Sequence, residues 1–123
     1  MTKIEIVIKA LEDINAFDVI AFDTKGKSPF FDHFVIASVT SDRQLQAAIN
    51  HISEDFRENS HKSPKVEGKN SKSWVLIDCG DVIVNVFTRE ERDFYNMEKM
   101  WVGTEQLDLD KDNDLWETSC ILR

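Results

Sequence analysis

The segment Trp74–Phe87, reading W-V-L-I-D-C-G-D-V-I-V-N-V-F, constrains the fold of this chain more than any other. Its two apolar runs, 74–78 and 82–87, read as antiparallel strands joined tightly at Cys79-Gly80, with Gly80 supplying a backbone conformation that other residues avoid. The break between them is acidic. Asp78 and Asp81 are therefore projected from a rigid frame, which suits an interaction edge better than an active site.

The remaining periodicities supply the rest of a sheet and its cover. Ile4, Val7, Ile8 and Leu11 recur at helical spacing and predict an amphipathic helix over the first dozen residues. Phe17–Phe22 reads as a strand whose near-continuous apolar character, broken only by Asp18, predicts burial on both faces, as in a sheet interior. Asp23-Thr24-Lys25-Gly26 is a turn signal, and Pro29 limits regular structure before Phe30 and Phe31. Phe34–Ser38 is a second strand. Ser41 with Gln44 three residues on is a capping-box pattern, and Leu45, Ala48, Ile49, Ile52 and Phe56 form the buried stripe of a helix ending near Asn59. Strand, helix and strand at this spacing favour a right-handed crossover in a mixed sheet. Residues 61–73 are polar and read as loop with a short edge strand near Val66, and Arg89–Trp101 returns to helical patterning. The fold class expected is α/β (α+β), a mixed sheet of about five strands with helices on its faces.

With 123 residues and 41% apolar content, the chain is expected to form one domain with a single core. Residues 1–102 are assigned to it and 103–123 to an acidic C-terminal extension holding six acidic and two basic side chains. No apolar run approaches the roughly 20 residues of a membrane span, and the N-terminus lacks the layout of a secretion signal, so a cytoplasmic protein is expected. Cys79 and Cys120 lack any paired Cys/His spacing, which leaves both as free thiols, with Cys79 buried or at a turn. A net charge of −8 opposes holding nucleic acid through its phosphates and favours a basic protein surface as partner. Lys62, Lys65, Lys69 and Lys72 are either solvated or an auxiliary contact with RNA.

Several side chains carry candidate chemistry, each with a plainer alternative. Asp78 and Asp81 are a carboxylate pair of the kind that holds Mg²⁺, yet no phosphate cradle lies near them in sequence. They are otherwise turn-stabilising groups or contacts for a basic partner. Trp74, Tyr95 and Trp101 are residue types enriched at interface hot spots, or they fill core. Tyr95 and Glu98 share a helix face, where Glu98 acts with the tyrosine or pairs with a neighbouring base. Arg43 is expected to hold the fold through a carboxylate, with Asp32 as its mate. His33, His51 and His61 share no ligand spacing, and Ser41 reads as a cap rather than a nucleophile.

Asp32-His33-Phe34-Val35-Ile36-Ala37-Ser38, Ser41-Asp42-Arg43-Gln44, the Trp74–Phe87 segment and the run Arg92–Trp101, in this order and spacing, resemble the ribosomal silencing factor (Iojap-related) family over Ile4–Trp101. The chain departs from the family at His33, where an aromatic is usual, Val39 (Gly), Cys79 (Tyr or Leu), Asn85 (His) and Thr88-Arg89 (a polar-Pro step). The resemblance implies a nucleotidyltransferase-like topology and a non-enzymatic protein without a cofactor. It implies docking on the large ribosomal subunit, chiefly its fourteenth protein, so that the small subunit is sterically excluded and translation falls when nutrients are scarce. Partner-binding residues are then Trp74, Asp78, Asp81, Tyr95, Glu98 and Trp101, with no catalytic or metal site. On this reading Asp81→Lys abolishes binding while the domain stays folded. Alternatives are a large-subunit assembly factor, monomeric or homodimeric, and a metal-dependent nucleotide-transferring enzyme.

Overall fold

The computed structural model describes residues 2–89 together with 104, 106, 107 and 109. Within them the elements run α1 (Lys3–Asp13), β1 (Phe17–Asp23), β2 (His33–Val39), α2 (Asp42–Glu58), β3 (Lys65–Glu67), β4 (Trp74–Asp78) and β5 (Val82–Thr88). The five strands form one sheet in the order β1-β2-β5-β4-β3. Only β2 and β5 are parallel, His33 lying opposite Val82 and Val39 opposite Thr88; the other neighbours are antiparallel. The mixed five-strand α+β sheet expected from the sequence is thus present.

Both described helices pack on the same face. Ile6, Val7, Ala10 and Leu11 of α1 and Leu45, Ala48, Ile49, Ile52 and Phe56 of α2 share one buried cluster with Val35, Ala37, Val75, Ile77, Val84 and Val86 of the sheet. Side chains alternate across a strand, so the residues between these form a second cluster on the opposite face: Phe22, Phe34, Ile36 and Phe87, with Ile20, Phe31, Trp74 and Ile83 packed against them.

The helix starts are fixed by side-chain caps. Thr2 Oγ1 accepts from Glu5 N at 3.3 Å and Glu5 Oε1 accepts from Thr2 N at 2.8 Å, a complete reciprocal box for α1. At α2 the box is altered. Ser41 Oγ accepts from Gln44 N at 3.3 Å, but Gln44 Oε1 accepts from Thr40 N at 2.8 Å, one residue further out. Gln44 Nε2 donates to Ile14 O at 2.8 Å, so the side chain that trims this cap also ties the start of α2 to the end of α1.

Two expectations need correction. β1 is an edge strand of the named five rather than an interior one: Phe17, Val19 and Ile20 are half-buried and Asp18 is exposed. α2 lies chiefly over β5, β2 and β4. The pairing of β1 with β2 is irregular between Phe17 and Ile20, where Asp18 takes φ +50°, and the apolar run masks this bulge. Beyond β1, Leu107 N donates to Ala21 O at 2.9 Å and Gln106 bridges Phe22, so this short piece of the extension lies against the sheet edge. Arg43 and Asp32 form no pair among the described residues, because they flank opposite ends of β2, a seven-residue strand spanning about 20 Å.

Candidate functional site

The β4–β5 hairpin turns as its sequence suggests. Cys79 N donates to Val82 O at 2.9 Å, and Gly80 carries φ +91°, the left-handed region that a β-carbon disfavours. Asp78 Oδ1 accepts from Gly80 N at 2.9 Å, closing the turn from within. Asp81 Oδ1 pairs with Lys3 Nζ at 3.1 Å, and the same ammonium donates to Cys79 O at 3.1 Å, which fastens the start of α1 to the turn.

Both carboxylates thus have structural partners, while the Asp81 side chain stays 53% exposed. An exposed pair of this kind contributes little stability. Asp81→Lys would set a second ammonium against Lys3, so loss of binding by that variant would not separate a partner contact from a disturbed turn. The backbone of Asp81 has a further role: its carbonyl accepts from Asp32 N at 2.8 Å and His33 N at 3.1 Å, joining the β1–β2 loop to the hairpin tip.

Trp74 stands at the other end of β4. It shares the face opposite α1 and α2 with Asp78, but lies four positions along the strand from it, about 13 Å away. Its ring stacks on Phe87, with centroids 5.5 Å apart and planes inclined by 10°, and its Nε1 donates to Asn85 Oδ1 at 3.2 Å. Asn85 is 1% exposed, and its Nδ2 has no hydrogen-bond partner among the described residues. Trp74, Leu76 and Ile83 remain half-buried, which leaves apolar surface along one side of this face. Tyr95, Glu98 and Trp101, with the helical pattern of Arg89–Trp101, lie outside the described residues beyond Arg89, as does Cys120.

Two titratable groups near the hairpin are shifted. Burial pushes the Cys79 thiol up to about 12, with Lys3 acting in the opposite direction. Cys79 is therefore a buried neutral thiol at the turn and a poor nucleophile. Burial lowers the pKa of His33, partly countered by Asp23. Among the described residues no three His, Cys, Asp or Glu side chains are grouped to hold a metal, and no helix is long and apolar enough to cross a membrane.

The lysines of residues 61–73 do not form a single basic patch. Lys62 and Lys65 line a cavity of about 300 Å³ with Lys3, Asp78 and Gly80, whereas Lys69 and Lys72 line one of about 320 Å³ with Asp42 and Gln46. α2, about 25 Å long, runs from one end of the molecule to the other between them. What sequence reasoning missed is Phe30, which is 82% exposed. The Ser28-Pro29-Phe30-Phe31 run in a turn-rich loop was the available signal.

The fold and site define a small α+β protein whose described residues form one sheet, with both described helices on one face and an aromatic cluster on the other. The family model for the ribosomal silencing factor during starvation, RsfS, matches residues 1–119, and the chain belongs to this family. It is 40% identical over 107 residues to the ribosomal silencing factor RsfS of Bacillus subtilis, covering 87% of this chain and 91% of that one. It is 29% identical to the mouse mitochondrial assembly of ribosomal large subunit protein 1, covering 80% of this chain and 44% of that protein. A crystal structure of a Chromobacterium violaceum protein superimposes with a TM-score of 0.77 at 36% identity, over 82% of this chain and 84% of that one.

Proposed function

We propose that this protein docks on the large ribosomal subunit through the sheet face opposite α1 and α2 and excludes the small subunit sterically, repressing translation under nutrient limitation in the cytoplasm. The receiving surface is that of the subunit's fourteenth protein. The observation that carries this reading is the half-buried apolar side of the face, with Trp74, Leu76 and Ile83 exposed in part and Asp78 at its end. Aromatic area slows release from a partner, and exposed carboxylates such as Asp81 speed capture by a basic one. A standard interface of roughly 800 Å² per partner spans the separation between Trp74 and the hairpin tip. Tyr95, Glu98 and Trp101 complete the proposed contact set.

No cofactor enters this function, and it involves no catalysis. Asp78 and Asp81 are engaged by Gly80 N and Lys3. Co-sedimentation with purified large subunits tests the reading. Trp74→Ala is expected to weaken binding by about tenfold or more. Asp81→Asn is expected to weaken it less, and beyond the effect of Lys3→Ala, which removes the same ion pair but leaves the carboxylate. Binding unchanged by both Trp74→Ala and Asp81→Asn would rule out this surface.

A second reading has one observation in its favour, the name of the mouse relative, which assembles a mitochondrial large subunit. On it, the same surface binds the same protein on precursor particles. Depleting the protein in growing cells and sedimenting the ribosomal particles separates the two: accumulated precursors favour assembly, and normal particles with undiminished translation in starvation favour silencing.

A further inference from the structure

Phe30 stands apart from every other large apolar residue described, because it alone is exposed to this degree, at 82%. A single exposed apolar side chain is ordinary on a protein surface, so exposure by itself carries no argument. What distinguishes Phe30 is how firmly its loop is held. Thr24, fully buried, receives hydrogen bonds at its carbonyl from Lys27 N at 2.9 Å and Ser28 N at 3.0 Å, and its Oγ1 donates to Phe31 O at 3.1 Å. Thr24 N donates to Asp32 O at 2.8 Å, closing the base of the loop. Ser28 Oγ accepts from Phe30 N at 3.1 Å, and Pro29 fixes the intervening φ.

The two adjacent phenylalanines are sorted by this frame. Phe31 turns inward, its ring 5.9 Å from that of Phe34 within the aromatic cluster opposite α1 and α2, and Phe30 turns out. A loop free to collapse would cover such a ring, since burying a phenylalanine is worth about 1.5–3 kcal/mol. The bonded frame prevents that collapse. It also brings the loop beside the hairpin, because Asp32 N and His33 N both donate to Asp81 O. Phe30, two residues before Asp32, therefore lies in a loop whose base is fastened to the acidic turn. Lys25, Lys27 and Asp32 of its own loop and Asp81 of the hairpin that holds the loop supply charge to this part of the surface, and a polar surround is what shields an apolar anchor from water on binding.

We infer that Phe30 is a preorganised anchor of the docking surface, inserting into an apolar socket on a basic protein partner. This inference rests on the proposed large-subunit docking and extends that surface from the sheet face onto the β1–β2 loop. A protein is the occupant favoured, because the chain carries a net charge of −8, which opposes a phosphate backbone. Because the loop is ordered before binding, little conformational freedom remains to be lost on docking.

The test is co-sedimentation of full-length protein with purified large subunits, comparing wild type, Phe30→Ser, Phe30→Leu and Trp74→Ala, with the thermal midpoint of each measured alongside. Phe30→Ser is expected to bind about tenfold or more weakly at an unchanged midpoint, and Phe30→Leu to keep most of the affinity. Phe30→Ser binding as wild type while Trp74→Ala is weakened would overturn the anchor and leave the docking face standing. A midpoint lowered by Phe30→Ser in step with its binding would make the ring structural and overturn the inference as well. Failure of wild type to bind any large subunit would remove the docking reading and the anchor together.

Discussion

Along β2, β4 and β5 the residues facing the helices are chiefly valine, isoleucine and alanine, among them Val35, Val39, Val75, Ile77, Val84 and Val86, and each is fully buried. Those facing the other way include Phe34, Phe87 and Trp74, two polar side chains, Ser38 and Asn85, and the carboxylate of Asp78. The first face is completed by the chain's own α1 and α2, so it accepts small branched side chains that fit between helix ridges. The second uses large rings, a side-chain hydrogen bond from Trp74 to Asn85 and partial exposure. A period of two in the strands lets one sheet meet both demands. The difference teaches that the first face is closed throughout, whereas the second is closed at Ile36, Asn85 and Phe87 but keeps apolar side chains partly exposed at Trp74, Leu76 and Ile83, where a partner surface can meet them.

If that contrast is sound, the two faces respond differently to loss of an aromatic ring. Phe56→Ala, in the fully buried stripe of α2, is expected to cost about 3–5 kcal/mol in urea unfolding, the range for deleting a large core ring. Trp74→Ala removes a half-buried ring and its stack on Phe87, and is expected to cost about 1–2 kcal/mol while acting mainly on binding. Equal costs for the two variants would make the face opposite α1 and α2 an ordinary core at Trp74 and break the comparison.

The smallest expected effect is at His33, beside the hairpin tip. Its pKa is lowered by burial in the folded protein, so below its ordinary value of 6.5 the unfolded chain binds more protons than the native one. The stability tied to neutral His33 is therefore complete above pH 6.5 and declines as pH falls below it. His33→Gln is expected to flatten that part of the wild-type profile of thermal midpoint against pH. Identical slopes for the two proteins between about pH 5 and pH 7 would contradict the burial of its ring.

Local pattern made much of the helix-covered face legible. All five residues of the α2 stripe are buried, Ser41 is its cap, Asn59 ends it, and Trp74–Asp78 pairs with Val82–Thr88 across a turn at Gly80. These features depend on residues within one or two turns of each other. What was illegible depends on tertiary distance. Nothing in sequence connects Lys3 to Asp81, which are 78 positions apart yet 3.1 Å distant. Asp32 and Arg43, close in sequence, are kept apart by the length of β2. The apolar run of β1 resembles an interior strand, because composition carries no record of position in the sheet order. For the site, Asp78 and Asp81 lie at the hairpin as read, but Trp74 is placed one strand length away, and Phe30 emerges only from the bonded frame of its loop.

The most direct test of the account is a joining assay. Large subunits are loaded with the protein, small subunits are added, and joined ribosomes are measured by sedimentation. The docking account predicts fewer joined ribosomes in proportion to occupancy, with the effect reduced for Trp74→Ala. Undiminished joining on fully occupied large subunits would contradict it.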